Sequence, residues 1–407
     1  MRIGIAIMAC LCLPGISWRP AAVAASFGQD LEFLRQHTTV VVLSSADGRA
    51  QVAVAPQYQG RVLTSTAGGL AGPSYGWINR PAIADGTRKP HINVFCGEDR
   101  FWLGPEGGQF SIFFQRGQRF TLDDWQTPEP IDWGAWQTVS QSATEIRFRR
   151  DMKLTNYSGT QFQLTAERSV RLLDRSQLTD RLGTKIADGI DGVAYESENR
   201  ITNTGKKAWQ KETGLLSIWI LGMLKPSEQT TIVVPFRPGP EDKLGPVVND
   251  AYFGKVPADR LKIGAEHIFF RGDGRHRGKI GIGPLRAKPI MGSYAADTRV
   301  LTLVQFTLPK GATDYVNSMW QIQEKPYAGD AANSYNDGPP APGAKPLGPF
   351  YELESSSPAA ALGPGQSLTH VHRTIHLQAA ESQLSPIAER ALGVKLAEIK
   401  QAFAPRL

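Results

Sequence analysis

The stretch EIRFRRDMKLTNYSGTQFQLTAERSVRLL, residues 145–173, carries the clearest information about the fold. Its residues alternate between apolar and polar types, with Ile146 and Phe148 on one side and Arg147 and Arg149 on the other. A period of two is typical of a β-strand with one buried face, because successive side chains point to opposite sides of a sheet. The turn-forming letters NYSG interrupt the alternation. The stretch therefore predicts two strands that each place one face in a core.

Similar segments, rich in β-branched and aromatic residues and separated by Gly, Pro, Asn and Asp, recur along the chain. They are TTVVVLSS (38–45), QVAVAP (51–56), GRVLTSTA (60–67), FSIFF (110–114), GVAYESENRITN (192–203), TTIVVPF (230–236), RVLTLVQFTL (299–308) and LTHVHRTIHL (368–377). No alternation of strands with helices appears between them. The pattern predicts an all-β fold of antiparallel sheets, with residues 26–407 forming a single domain.

Helical patterns occur near the two ends of this domain. The sequence FGQDLEFLRQHT (27–38) predicts a short helix. Near the C-terminus, Ser385 followed by Pro386 resembles an N-cap with proline in the first turn, and apolar residues then recur at helical spacing. We therefore predict a C-terminal helical cap at about 384–404, interrupted at Gly393.

The longest irregular stretch is EKPYAGDAANSYNDGPPAPGAKPLGPF, residues 324–350. It is rich in Pro, Gly and Asn, yet it also holds aromatic residues. Long ordered loops of compact domains often act as lids over a site. Two interpretations stay open for this segment, a functional lid and a solvated linker.

The N-terminal sequence MRIGIAIMACLCLPGISWRPAAVAA (1–25) has the features of a secretory signal peptide: an early Arg, an apolar run and small residues before a cleavage site. We therefore expect the mature protein to be exported to the periplasm or beyond the cell. After residue 25 no run of about 18 apolar residues occurs, so no membrane span is expected. Cys96 is then the single cysteine of the mature chain, which excludes an internal disulfide framework.

The charge pattern gives no indication of a nucleic-acid partner. The formal net charge is +7, and it falls to +5 when Arg2 and Arg19 leave with the signal peptide (7 − 2). The basic residues are scattered, and the sequence RGDGRHRGK (271–279) is interpreted as an ordinary polar loop. Nucleic-acid binding is therefore not expected.

The segment CGEDRFWLGPEGGQF (96–110) combines acids, a cation, aromatic residues and glycines. If Glu98, Arg100 and Trp102 lie on one strand, they share a face. Carboxylate and guanidinium groups bind sugar hydroxyls, and an indole ring stacks on the C–H face of a sugar. With the adjacent Asp99, these residues are candidates for sugar binding, with Glu98 also a candidate acid. The alternative is an internal salt bridge beside a core aromatic.

The segment YELESSSP (351–358) places Glu352 and Glu354 on one strand face and directs Leu353 towards the core. Two neighbouring carboxylates repel each other, and this repulsion raises the pKa of one of them. A carboxyl group with a raised pKa suits general acid–base catalysis. Both glutamates are therefore candidate catalytic residues, with an exposed polar strand face as the alternative.

A third pattern is His370-Val371-His372 with His376, in which the three histidines share one strand face. The spacing of His370 and His372 would also suit a metal ion. A divalent metal is possible but not favoured. Sugar contact and structural histidines are the preferred interpretations, with His370 and His372 also candidate catalytic acids, and we expect no cofactor.

Two further segments contribute candidate substrate-binding residues. In ESENR (196–200), Glu198 shares a strand face with an acid and an arginine, although a solvated face explains the same pattern. In NSYNDG (333–338), Asn336 and Asp337 are candidates for substrate binding or for ligating Ca²⁺ through oxygen, although Asn and Asp beside Gly also form turns, which is the preferred interpretation. The chain lacks the dinucleotide, P-loop, nucleophile-elbow and HExxH motifs.

Several of these motifs together resemble known families. The segments GWINRP (76–81), ITNTGKKAW (201–209) and YELESSSP resemble strands and a turn of aldose 1-epimerases, which have the galactose mutarotase-like β-supersandwich fold. The resemblance implies that Glu354 acts as the catalytic base, that Arg80 binds substrate and that Glu352 is its neighbour. Over nearly the whole mature chain, the motifs resemble an uncharacterised family of exported bacterial proteins.

One departure from the epimerase pattern concerns the general acid. Aldose 1-epimerases pair the glutamate with a histidine soon after the turn, but KAWQKETGLLSIWILGML (207–224) holds no histidine. The resemblance therefore leaves the acid unassigned. We expect an exported, monomeric carbohydrate-active protein with a sugar in a concave sheet groove and with epimerase-, lyase- or hydrolase-like chemistry. The alternatives are a sugar-binding protein without catalysis and a structural or interaction protein.

Overall fold

The computed structural model describes residues 25–403. The predicted signal peptide, apart from its last residue, and the end of the chain lie outside the described residues. The strands are β1 (Val41–Ser44), β2 (Gln51–Ala55), β3 (Arg61–Thr66), β4 (Arg100–Gly104), β5 (Gln137–Gln141), β6 (Glu145–Thr155), β7 (Gln161–Leu172), β8 (Asp191–Asn203), β9 (Ser217–Leu224), β10 (Thr230–Pro235), β11 (Leu261–Ile263), β12 (His267–Arg271), β13 (Gly278–Ile282), β14 (Ile290–Ala295), β15 (Val300–Phe306), β16 (Ala332–Asn336), β17 (Tyr351–Ser356) and β18 (Ser367–Gln378).

The helices are short and lie between or beyond the strands. They are α1 (Phe27–His37), α2 (Arg80–Asp85), α3 (Glu129–Asp132), α4 (Arg175–Leu182), α5 (Glu241–Leu244), α6 (Glu381–Leu392) and α7 (Leu396–Gln401). Single 3₁₀ turns occur at Pro56–Tyr58 and Gly69–Ala71. Within residues 25–403, no helix has the length and apolar character needed to cross a membrane.

The strands form three antiparallel sheets. A ten-stranded sheet has the order β11-β12-β10-β14-β15-β18-β8-β7-β6-β5, and a five-stranded sheet has the order β13-β16-β17-β9-β4. The strands β1-β2-β3 form a smaller sheet. The stretch that opened the sequence analysis forms β6 and β7, which pair from Glu145 opposite Arg171 to Thr155 opposite Gln161. The predicted fold class, all-β with antiparallel sheets and short helices, is confirmed.

The five-stranded sheet packs face to face against the ten-stranded sheet. Phe101 of β4 and Ile218 of β9 belong to the same buried cluster as Phe148 of β6 and Val170 of β7. Leu353 of β17 lies in a second cluster together with residues of β10 and β12. Because side chains alternate along each strand, the residues beside these apolar ones point to the other face of the five-stranded sheet. That second face carries the candidate site.

Helices cover the outer face of the ten-stranded sheet. Leu384 and Ile387 of α6 and Leu396 of α7 pack on Leu303 and Ile375 of the sheet. The predicted N-cap at Ser385 is wrong, since α6 already begins at Glu381 and holds Pro386 in its interior. At the other end, α1 begins where predicted, and Ser26 and Gln29 form a capping box.

Two strand expectations were wrong for identifiable reasons. The segment FSIFF (110–114) forms no strand. Its rings pack instead on other aromatic residues, with Phe113 on Trp125 and Phe114 on Trp320. The apolar residues of this segment therefore pack a loop and do not form a strand face. Conversely, β9 was not predicted, because every residue from Ser217 to Leu224 is buried and no alternation marks the strand.

Candidate functional site

A cavity of about 360 Å³ lies on the face of the five-stranded sheet that points away from the ten-stranded sheet. Alternate residues of each strand form its floor, as the period of two requires. The floor residues are Arg100 and Trp102 of β4, Trp219, Leu221 and Met223 of β9, Lys279 of β13, Tyr335 of β16 and Glu352 of β17. The volume suits a ligand about the size of a sugar unit or two.

Loops between the strands form the walls of this cavity, and aromatic rings dominate them. Trp125 and Trp320 stack with ring centroids 6.0 Å apart, and Phe253 lies edge-on to Trp320 at 6.4 Å. Pro340, Lys345, Leu347 and Phe350 contribute from the long segment 324–350. That segment therefore borders the cavity, as the lid interpretation predicts.

Arg100 and Glu352 form a buried ion pair on the floor. The guanidinium of Arg100 donates to Oε1 of Glu352 at 2.5 Å, and the Cζ of Arg100 lies 4.8 Å from the ring of Trp102. Burial raises the pKa of Glu352 to about 7, with Arg100 opposing the rise and the nearby Glu354 adding to it. Glu352 can therefore hold or release a proton near neutral pH.

Glu354 lies on the same strand face as Glu352, as predicted, but it does not line the cavity. Its side chain is completely buried. Its Oε2 accepts hydrogen bonds from Nε1 of Trp219 at 2.9 Å and from Nζ of Lys279 at 2.9 Å. These two cavity residues thus stand between the Glu354 carboxylate and any bound ligand.

Glu106 is a second acid that lines the cavity, and the sequence analysis assigned it no role. It is 9% exposed. Burial raises its pKa, while the charge of Lys279 opposes the rise and that of Glu354 adds to it. The signal that could have indicated it is an acid inside the glycine-rich turn GPEGG (104–108), since an acid there has no reason to be buried.

Lys279 is the central cation of the site, and its segment was interpreted as a polar loop. Its Nζ lies 4.5 Å from the ring of Trp219. Burial acts to lower its pKa, but the carboxylates of Glu354 and Glu106 outweigh burial, so the pKa is raised and the ammonium stays charged. The interpretation of residues 271–279 as an ordinary loop is wrong for Arg277 and Lys279, which both line the cavity.

Asp337 also lines the cavity, and the neighbouring Asn336 does not. The Asp337 carboxylate accepts from the hydroxyl of Tyr335 at 2.6 Å and from the amide of Gly348 at 2.8 Å. Burial raises its pKa. The side chain of Asn336 points away, accepting from the Gly274 amide and donating to the carbonyl of His276, so it holds the turn before β13.

Glu98 lies outside the cavity, contrary to the expectation that it shares a face with Arg100 and Trp102. It precedes β4, and Gly97 before it has a φ of 126°, so the strand parity does not extend to it. Its carboxylate accepts from the amide and hydroxyl of Ser65 and from the hydroxyl of Tyr195. His376 lies 3.1 Å from its Oε2. Glu98 is thus part of a buried polar layer.

Asp99 belongs to the same buried polar layer. It pairs with Arg168 of β7 at 2.5 Å, and its other oxygen accepts from the hydroxyl of Ser197 at 2.7 Å. Both partners of the ion pair are inaccessible to solvent. The internal salt bridge that was the alternative for this motif therefore describes Asp99.

His370 and His372 lie on the core side of the five-stranded sheet. The hydroxyl of Ser355 is 2.8 Å from Nε2 of His370 and 2.8 Å from Nδ1 of His372. Burial lowers the pKa of His370 to about 3 and that of His372 to about 4, so both rings are neutral. Glu352 and Glu354 occupy the opposite face of β17. Among residues 25–403, no cluster of three or more His, Cys, Asp or Glu side chains could hold a metal ion.

The two remaining candidates are also remote from the cavity. Arg80 is the first residue of α2, and its guanidinium pairs with Asp30 at 2.6 Å and lies over the ring of Phe33. Glu198 is an exposed residue of β8. Of the predicted site residues, the structure brings Arg100, Trp102, Asp337 and Glu352 to the cavity, with Glu354 behind its floor.

The sheet topology and this cavity define a large antiparallel β protein with a candidate ligand site on the smaller of its two stacked sheets. Solved structures similar to it include galactose mutarotase-like proteins. A galactose mutarotase-like protein from Lactobacillus casei is 10% identical, with 84% of this chain and 100% of that chain covered and a TM-score of 0.45. A galactose mutarotase related enzyme from Lactobacillus acidophilus is 7% identical, with 83% and 97% covered and a TM-score of 0.45.

The Slr1438 protein from Synechocystis is 12% identical, with 83% of this chain and 96% of that chain covered and a TM-score of 0.49. At such identities and TM-scores the likeness transfers no activity. No curated protein matches the sequence. Residues 25–403 match the model of a family of unknown function, DUF6786, and the chain belongs to that family. The predicted membership of an uncharacterised family is confirmed.

Proposed function

We propose that the protein binds a carbohydrate in the cavity and performs acid–base chemistry on it. One observation carries the proposal: two buried carboxyl groups with raised pKa, Glu352 on the floor and Glu106 on the wall, line a single cavity walled by aromatic rings. Groups whose pKa lies near the working pH can both donate and accept protons efficiently.

The aromatic walls support a sugar as the ligand. Indole and phenyl rings pack against the C–H faces of a sugar ring, while charged groups on the floor hydrogen-bond to its hydroxyls. Trp219 and Trp320 supply such faces, and Arg100, Lys279 and Glu352 supply the polar groups. A cavity lined only by apolar residues would instead favour a lipid-like ligand.

The two acids divide the chemistry between them in this proposal. One carboxyl group, held neutral by burial, donates a proton to a sugar oxygen, and the other, ionised beside the buried cations, removes a proton from a hydroxyl or ring carbon. The positive charge of Lys279 acts to lower the pKa of both carboxyl groups, and Glu354 holds Lys279 in position. Such a pair would serve an epimerase, a lyase or a hydrolase. Glu354 is a positioning residue here because it does not face the cavity.

A second candidate function, sugar binding without chemistry, is favoured by one observation. The Arg100 guanidinium already occupies Oε1 of Glu352, and an ion pair of this kind opposes proton uptake. If that pair stays closed with ligand bound, Glu352 only recognises the sugar. Export from the cytoplasm, which the sequence of residues 1–25 supports, forms part of the proposal for either function.

The test is proton NMR of the purified protein with a panel of mono- and disaccharides, observing the anomeric signals. We expect faster exchange of anomers or a new product, with the rate falling at least about 100-fold in Glu352→Gln and in Glu106→Gln. Glu198→Gln, which changes an exposed carboxylate of β8, is the matched control and should leave the rate unchanged.

Line broadening without conversion, equal in the wild type and both variants, would instead establish the binding function. The absence of any interaction with the whole panel would contradict the proposal of a carbohydrate ligand.

A further inference from the structure

Arg277 is a cation of the cavity that the chemistry above does not use. It precedes β13 and lines the cavity between strand and wall. Its Cζ lies 3.8 Å from the centroid of the Phe253 ring, a cation–π contact that holds the guanidinium at the wall. Asn336 fixes the turn that leads to it, through the amide of Gly274 and the carbonyl of His276. Its position is therefore set by the fold.

The ion pairs of the cavity do not include Arg277, whose charge acts only at longer range on Glu106 and Asp337. Arg100 is paired with Glu352, and Lys279 is paired with Glu354. Within residues 25–403, no carboxylate oxygen lies within the 4.0 Å ion-pair distance of Arg277. The carboxylate of Asp337, a nearby cavity acid, accepts hydrogen bonds from the Tyr335 hydroxyl and the Gly348 amide. The exposed residues Lys345 and Asp123 add one charge of each sign to the same lining.

A guanidinium held over a ring in a partly enclosed cavity is arranged to bind a planar anion. Its parallel N–H groups match the two oxygens of a carboxylate, and the low dielectric of a buried site strengthens the interaction. A phosphate is usually held by several donors, often backbone amides at a helix N-terminus. No helix of the described chain contributes to the lining residues of this cavity.

We propose that the natural ligand is a carboxylate-bearing sugar, a uronic acid or a glycan that contains one, and that Arg277 binds its carboxylate. This inference rests on the proposed function, because it assigns the chemical class of the sugar bound in the same cavity. The sugar ring then lies against the aromatic walls, and the carboxylate projects towards Phe253 and Arg277.

The experiment compares matched pairs of ligands by isothermal titration calorimetry: glucuronate with glucose, galacturonate with galactose, mannuronate with mannose, and the corresponding methyl-esterified uronates. We expect one acid to bind at least about tenfold more tightly than its neutral sugar and its ester, since charge-assisted hydrogen bonds are stronger than neutral ones. In Arg277→Gln the preference should disappear, while the weak affinity for the neutral sugar stays. Arg277→Lys, which keeps the charge but loses the two parallel N–H donors, should retain part of the preference for the acid.

Arg275→Gln provides the matched control. Arg275 is an exposed arginine two residues earlier that pairs with Glu228 outside the cavity, so its replacement should leave the preference intact. Circular dichroism melting of each variant separates lost recognition from lost folding.

Three results would overturn the proposal. Equal affinity for an acid and its neutral sugar would reject the acidic ligand while leaving sugar binding intact. A preference that survives in folded Arg277→Gln would reject Arg277 as the anion site. Tighter binding of the corresponding sugar phosphate, titrated alongside the uronate, would reject the carboxylate class. Binding of no sugar at all would instead show that the proposed function itself has failed.

Discussion

Nζ of Lys279 donates to Oε2 of Glu354 across 2.9 Å, and the pair is buried at the floor of the cavity. The residues lie on β13 and β17, which do not pair directly because β16 lies between them. The same Glu354 oxygen accepts from the indole of Trp219. A single carboxylate therefore fixes two of the side chains that form the floor, and this arrangement has measurable consequences.

Breaking this ion pair from one side should destabilise the protein strongly. Lys279→Met leaves the Glu354 charge buried and unpaired, which typically costs about 3–5 kcal/mol. The measurement is the free energy of unfolding from urea titration. The double variant Lys279→Met/Glu354→Gln removes both charges and should recover part of this loss. The single variant Glu354→Gln completes the cycle, and strictly additive losses in the three variants would contradict a coupled pair.

Glu352 should make the protein less stable as pH rises through neutrality. Its pKa is raised to about 7 in the folded state from 4.5 in the unfolded chain, so between these values the folded state binds the proton and the unfolded state does not. Its favourable contribution is full below about pH 4.5 and is lost as pH rises through 7. Urea titrations from pH 4.5 to 8 should show a smaller loss in Glu352→Gln. Parallel curves for both proteins would argue against a raised pKa.

The buried rings of His370 and His372 should make the protein less stable as pH falls. Burial lowers the pKa of these rings to about 3 and 4, so below the unfolded value of 6.5 the unfolded chain binds protons that the folded state does not. Stability from these groups is full above pH 6.5 and declines as pH falls towards 4. The measurement is the ¹⁵N chemical shift of both imidazoles, which we expect to report neutral rings at pH 5. Protonated rings in the folded protein at that pH would contradict the buried arrangement.

Ser355 should be important for the stability of the interface between the sheets. Its hydroxyl is the hydrogen-bond partner of a ring nitrogen of both His370 and His372. Ser355→Ala leaves buried polar atoms without partners, at a cost of about 1–3 kcal/mol. The free energy of unfolding from urea titration should fall by this amount, while Ser227→Ala, at a partly exposed turn, should have a smaller effect. Unchanged stability in Ser355→Ala would show that water or an alternative donor replaces the hydroxyl.

Trp320 should contribute to ligand affinity more than to folding. It is half-buried in the cavity wall and stacks on Trp125. Trp320→Leu removes an aromatic face for the sugar and should weaken binding by about 3- to 10-fold, as aromatic contacts of about 0.5–1.5 kcal/mol imply. The control is Trp133→Leu, at another half-buried tryptophan that packs on Phe95 and does not line the cavity. Equal losses of ligand affinity in both variants would point to a general destabilisation.

Several features followed from local sequence patterns alone. The alternation in 145–173 predicted β6 and β7, and the same period placed Glu352 and Glu354 on one face with Leu353 in the core. Successive side chains of a strand point to opposite faces of the sheet, so the face of each residue follows from its neighbours without any distant contact. Sequence resemblance also indicated the family and the fold class.

Local patterns failed where backbone geometry or burial interrupts the period. Glu98 was expected to face the ligand with Arg100, but the chain turns at Gly97 and directs its carboxylate into the polar layer beside His376. The segment 110–114 has a strand-like composition, yet its rings pack in the cavity wall. Composition alone could not distinguish a strand from a packed loop at 110–114, because both are rich in apolar residues.

The membership of the cavity was decided by the tertiary structure. Arg100 and Glu352 are 252 positions apart and meet only because β9 pairs with both β4 and β17. Glu106, Arg277 and Lys279 lie in segments that read as ordinary turns and loops, and long-range packing brings them to one site. The sequence by itself determined which side chains share a strand face. The order of strands in the sheet and the loops that cover it depend on contacts between distant residues, and those contacts determined which faces form the site.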